Sequence, residues 1–95
     1  MVTTLRLLNK LRVEKQLDSD RKVAQFLDLN PSSVQKWRHG GTMSDEVACE
    51  VAEILGLDVD MVLLSIVAER SKNQKVIEKL ERIFLTTRMR TRRKI

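Results

Sequence analysis

The chain has 95 residues and a net charge of +5, with 42% of residues hydrophobic and 33% charged, enough for one buried core and too little for two. Cys49 and His39 are each the sole residue of their kind, which excludes an internal disulfide and a zinc centre of three or four protein ligands, so no metal and no cofactor is expected. Trp37, Phe26 and Phe84 are the only aromatics, too few for a platform that stacks the bases of a single strand.

Leu5, Leu8 and Leu11 form a helical stripe from about Thr4 to Gln16, which predicts a first helix packed over the segment that follows, with Leu17 closing the connection. The N-terminal MVTTLRLLNKLR holds no apolar run of signal-peptide length. The longest apolar run, Met61 to Leu64, is far too short for a bilayer, so no membrane association and a cytoplasmic location are expected.

The stretch DRKVAQFLDLNPSSVQKWRH, Asp20 to His39, reads as two short helices joined by a tight turn, a helix-turn-helix. Val23, Leu27, Leu29, Val34 and Trp37 are spaced so that two crossing helices share one small core, and Ala24 supplies the small residue where the backbones approach. Ser19 is a cap for the first helix of the pair, about Asp20 to Leu27, with Asp20 at the positive end of its dipole. Asn30 is the expected cap of the second, about Pro31 to His39, because Pro31 at its first position lacks only an N–H that would be unpaired anyway. Gly40 and Gly41 end it. In such a pair the second helix enters the DNA major groove.

Ser44 caps a fourth helix with Asp45 and Glu46 in its first turn, Val47, Val51, Ala52 and Leu55 on its inner face, and Gly56 as its stop. Cys49 lies among these apolar residues and reads as a small buried hydrophobe. Val59 to about Ala68 is a fifth helix, apolar enough to be mostly buried, and no strand is expected anywhere.

From the paired helices to about Glu69 the chain resembles the lambda-repressor-like family, the small phage and bacterial regulators that include the Cro and repressor proteins. The likeness is carried by the Gly40-Gly41 loop, by SDEVACEVAEILGLD with its Ala-x-x-Leu-Gly ending, and by VDMVLLSIVAE. Ser19-Asp20 before the motif, the Trp37-Arg38-x-Gly40 ending and Ala68-Glu69-Arg70 add to it. The resemblance implies an all-α, five-helix helix-turn-helix domain over residues 1–70 that binds double-stranded DNA. Asp28 stands where that family usually has the turn glycine, and Asp20 where many members have a phosphate-touching glutamine, a contact therefore not carried over.

Beyond this domain, Val76, Ile77, Leu80, Ile83 and Phe84 recur at helical spacing between Lys72 and about Leu85. Residues 71–87 thus form an additional amphipathic helix whose stripe needs a partner, either its own domain or, as favoured here, a second copy in a homodimer. Residues 88–95 form a basic tail without a core: Arg88, Arg90, Arg92, Arg93 and Lys94 fit sequence-independent DNA contacts, or simple solubilisation.

Charge is distributed in blocks. Residues 1–43 carry eight basic against four acidic residues, residues 44–69 carry seven acids and no Lys or Arg, and residues 70–95 carry ten basic against two acidic. Such polarity suits a molecule that faces phosphates with one side. On the second helix of the pair, Ser32, Ser33, Gln35 and Lys36 are the candidates for base contacts. Lys36 suits guanine O6 and N7, Gln35 an adenine edge or a phosphate, and serine reads any base weakly. Arg21, Lys22, Arg38 and His39 are the candidates for phosphate, with Lys22 fitting a solvated charge equally well.

Together with the resemblance, these residues imply a sequence-specific regulator of transcription, of phage or mobile-element type, on an inverted-repeat operator. The alternative is an antitoxin or antirepressor module whose C-terminal helix binds another protein and whose DNA binding serves autoregulation. No paired nucleophile and base, phosphate loop or metal cluster argues for an enzyme.

Overall fold

A computed structural model describes residues 2–71 and 74–83, and every regular element among them is an α-helix. These are α1 (Thr4–Glu14), α2 (Asp20–Phe26), α3 (Pro31–Arg38), α4 (Asp45–Leu55), α5 (Val59–Ser71) and α6 (residues 74–83). No helix among the described residues is long and apolar enough to cross a membrane.

Hydroxyl side chains set three of the helix starts. Thr3, Ser19 and Ser44, all in extended backbone, accept from the N–H groups of Arg6, Lys22 and Val47, each satisfying a donor that the first turn leaves over. α3 begins differently from expectation: the Asn30 side chain makes no capping bond, and the Asn30 carbonyl instead accepts the Ser33 N–H at 3.0 Å. With Pro31 already removing one donor, that backbone bond and the preset φ of proline are enough to start the helix.

One local device closes four helices. After α1, α2, α3 and α4 the chain turns through a left-handed residue, Gln16, Asp28, Gly40 and Gly56, at φ of 55°, 57°, 96° and 69°. In each case the next N–H bonds back to the same relative position: Leu17 to Arg12, Leu29 to Ala24, Gly41 to Lys36 and Leu57 to Ala52, at 2.8–2.9 Å. Leu17, Leu29 and Leu57 then drop onto the core, which is the apolar contact that accompanies this kind of ending. Gly41 cannot do so, because a Cβ there would stand 2.9 Å from the Lys36 carbonyl oxygen.

α2 packs on α3, α4 on α5, and α1 lies against α2, α3 and α4. The shared core is Leu7, Leu8, Leu11, Val23, Ala24, Leu27, Val34, Trp37, Met43, Ala48, Val51, Ala52, Leu55, Val62 and Ile66. The face that α1 buries corrects the expected stripe. Thr4, Leu7, Leu8 and Leu11 point inward, and Leu5 is exposed, because the helix contacts three neighbours and the seam is offset toward Leu7. Cys49 is only half-buried, at the edge of the α4 inner face.

Thr4 is also a polar joint inside this core. Its hydroxyl donates to Glu69 Oε1 at 2.7 Å and accepts from the Met43 N–H at 3.1 Å, while its backbone N–H donates to the same Glu69 oxygen at 3.0 Å. A carboxylate at the N-terminus of α1 is favoured by the helix dipole, and here it ties the start of α1 to the end of α5 and to the loop after α3. Arg70 extends the joint, donating to the Met43 carbonyl at 3.1 Å and to Asp45 at 2.7 Å.

Candidate nucleic-acid interface

α3 has two faces of opposite character. Val34 and Trp37 are buried against α1 and α2, which fixes the rotation of the helix about its axis. That rotation leaves Ser32, Gln35 and Lys36 exposed, Ser33 half-buried, and His39 exposed just past the C-terminal end. Of the base-contact candidates, Ser32, Gln35 and Lys36 therefore share the outward side, and Ser33 sits at its margin. Trp37, at 5% exposure, is core and offers no stacking surface.

The backbone at the end of α3 is held tightly. The Lys36 carbonyl accepts both the His39 N–H at 3.1 Å and the Gly41 N–H at 2.8 Å, and Gly40 supplies the left-handed residue that allows it. The residue that displays the cationic side chain thus also anchors the turn that stops the helix.

The phosphate candidates separate into two groups. Arg21 and His39 stand exposed, as does Gln25 on the same helix as Arg21. Lys22 is exposed too, but reaches Asp18 one turn back at 2.8 Å, a solvent-screened surface pair that holds the lysine only weakly. That ion pair, through its hydrogen bond first and its charge second, lowers the Asp18 carboxyl from its ordinary value.

Arg38 behaves differently from the rest. Its Nε and Nη2 donate to Asp20 Oδ2 and Oδ1, each at 2.9 Å, and its Nη1 donates to Asn9 Oδ1 at 3.2 Å. Arg12 Nη1 donates to the same Asp20 Oδ1 at 3.3 Å while its other nitrogens donate to the carbonyls of Leu17 and Asp18. Both arginine side chains are about a third exposed, at 30% for Arg38 and 32% for Arg12. The Arg38 hydrogen bonds lower the Asp20 carboxyl beyond what partial burial takes back, and the charges of Arg38 and Arg12 add to the same direction. Arg38 is raised in turn by its bond to Asp20. Arg38, expected on a phosphate, is here one arm of a clamp that holds α1, α2 and α3 together. Nothing local in the sequence marks this pairing, since Arg38 and Asp20 lie 18 residues apart and meet only when α2 and α3 cross.

Of the stripe expected to join two copies, Val76 and Ile83 are exposed at 37% and 51%, and Ile77 and Leu80 are half-buried. Phe84 and the tail residues Arg88, Arg90, Arg92, Arg93 and Lys94 lie outside the described residues. α5 carries further apolar surface: Met61, Leu63 and Leu64 are half-buried and Val67 is exposed, so this helix is less buried than its composition suggested. Among the described residues no group of His, Cys, Asp or Glu is placed to hold a metal ion.

No family model matches the chain, and neither the curated proteins nor the solved structures contain a significant match to it.

Proposed function

We propose that this chain is a sequence-specific double-stranded DNA-binding regulator of transcription, of phage or mobile-element type, built on a lambda-repressor-like helix-turn-helix domain. The observation that carries this reading is the two-faced α3. Val34 and Trp37 lock one side into the core, and the opposite side presents short polar and cationic groups, Ser32, Gln35 and Lys36, with no bulky apolar residue among them. A rigid helix with such a face fits the width of the major groove, and its outward groups are donors and acceptors suited to base edges. Lys36 is the principal discriminator, Gln35 the second, and Ser32 and Ser33 contribute close packing and weak hydrogen bonds. Arg21, Lys22 and His39, all exposed, supply contacts to the phosphate backbone, which position the helix without specifying sequence.

The chain acts on this reading as a homodimer on an inverted repeat with half-sites about one helical turn apart, ~34 Å. Exposure of Val76 and Ile83 on α6 supports residues 71–87 as the joining element of the two copies, with residues 1–70 as the DNA-binding domain and residues 88–95 as an additional basic arm.

Selection of bound duplexes from a random pool tests the reading directly. Enrichment of a palindromic site with fixed half-site spacing is the expected result. Binding of every duplex alike, with no enriched sequence after repeated rounds, overturns it. Sedimentation of a Leu80→Asp, Ile83→Asp variant tests the joining element: monomers support it, and a dimer of unchanged mass moves the interface elsewhere.

A further inference from the structure

We propose that Asp20 is an internal counter-anion that withholds Arg38 and Arg12 from the phosphate backbone and so limits sequence-independent binding. This inference rests on the proposed DNA-binding reading and concerns how that surface is tuned. A carboxylate receiving the Nε and Nη2 of an arginine side-on offers the same two-pronged acceptor geometry that a phosphate offers. Asp20 does this to Arg38 with two bonds of 2.9 Å, and Asn9 takes the remaining nitrogen at 3.2 Å. Arg12 has each of its three nitrogens on a protein acceptor as well, Asp20 among them. A phosphate arriving at either arginine therefore meets a guanidinium whose charge is partly balanced by Asp20 and three of whose five N–H donors are already engaged, whereas one arriving at exposed Arg21, Lys36 or His39 finds side chains turned to solvent.

The consequence is a division of labour. Affinity for any duplex grows with the number of phosphates neutralised, and it does so equally for right and wrong sequences. Two arginines released at the end of α3 and beside α2 would raise both, and discrimination would then rest on a smaller share of the total binding. Holding them on Asp20 leaves discrimination to the outer face of α3. The same carboxylate fixes the crossing of α2 and α3, so restraint and positioning come from one residue.

The test compares Asp20→Asn with Asp28→Asn, which removes the same charge from a turn residue of the same segment and keeps a side chain that tolerates left-handed geometry. Binding to a random-sequence duplex and to heparin is measured across a salt series, with folding followed by circular dichroism. Asp20→Asn is expected to steepen the dependence of log K on log salt by up to ~0.9 for each additional phosphate neutralised, beyond any change in Asp28→Asn. Adding Arg38→Gln to Asp20→Asn should remove part of that increase. Arg38→Gln alone, which does not depend on the stability of the Asp20 variant, should leave the slope of the native chain unchanged.

A slope in Asp20→Asn no steeper than in Asp28→Asn overturns the inference, as does a flatter slope in Arg38→Gln alone. If the chain binds heparin and no duplex, the DNA reading fails while the heparin series still decides the role of Asp20.

Discussion

Thr4→Val preserves the shape of a wholly buried side chain and removes only its hydroxyl. In the folded chain that hydroxyl donates to the Glu69 carboxylate at 2.7 Å and accepts the Met43 N–H at 3.1 Å. Losing a hydrogen bond to a charged group costs about 1.5–3 kcal/mol, and leaving a buried backbone donor unpaired costs about 1–3 kcal/mol. The added methyl group recovers about 1 kcal/mol, so the net loss is about 1.5–5 kcal/mol. The backbone N–H of Thr4 still reaches Glu69, which keeps the loss in the lower half of that range. For a domain of this size each kcal/mol lowers Tm by about 4–8 °C, so a fall of at least ~6 °C is expected in a thermal melt. Urea unfolding followed by circular dichroism gives the free energy itself. Thr4→Ser keeps both hydroxyl bonds and should lose only about 1 kcal/mol, the value of one buried methyl. If Thr4→Val lies within about 0.5 kcal/mol of the native chain, the range of an ordinary surface change, the polar joint contributes nothing and the reasoning is refuted.

Four further outcomes are expected. Because Arg38 lowers Asp20 in the folded chain, the stability from that clamp is full above the unfolded carboxylate value of ~3.9 and is lost as pH falls through the lower folded value. Asp20→Asn should thus be destabilising near neutrality, by roughly 1 kcal/mol after allowance for solvent screening, with the gap closing in acid, and a gap constant with pH contradicts this. Asp28→Gly, at φ 57°, relieves a side chain held in left-handed geometry and should raise stability by about 0.5–1 kcal/mol in urea unfolding. Gly41→Ala pushes a Cβ to 2.9 Å from the Lys36 carbonyl oxygen and should cost about 1–3 kcal/mol, and DNA affinity measured below the melting range should fall with it because Lys36 moves. Lys36→Ala should cost about 1–3 kcal/mol on a selected site and less on random duplex, whereas an equal loss on both would make Lys36 a phosphate contact only.

Much of the fold was legible because its signals are local. Ser19 and Ser44 cap where hydroxyl chemistry placed them, and Gly56 stops α4 in the left-handed region. The buried pair Val34 and Trp37 followed from helical spacing alone, and with it the outward side of α3 that carries Gln35 and Lys36. Spacing was less informative where a helix touches several neighbours. α1 offers Leu5, Leu7, Leu8 and Leu11, and the choice of Leu7 over Leu5 depends on where its three neighbouring helices lie, which no window of α1 contains. α5 is apolar on all sides, so periodicity could not say that Val62 and Ile66 face inward while Val67 faces solvent. Left-handed turns were visible at Gly40 and Gly56, and at Asp28 only as a tolerated departure; Gln16 gave no sign, although it closes α1 in the same way.

By itself, then, the amino-acid sequence determined the all-helical character of the described residues, the starts and stops that capping and glycine chemistry control, and the set of polar residues on α3. Tertiary structure alone decided which of the cations remain available. Arg21 and Arg38 are indistinguishable as residue types, but the crossing of α2 over α3 sets Arg38 against Asp20 and leaves Arg21 exposed. Likewise only the packing of α1 and α5 on α4 brings Glu69 to Thr4 across 65 residues of chain. The physical reason is range: capping and periodicity act within a turn or two, whereas ion pairs and buried hydrogen bonds depend on distances of about 3 Å that exist only after the helices have packed.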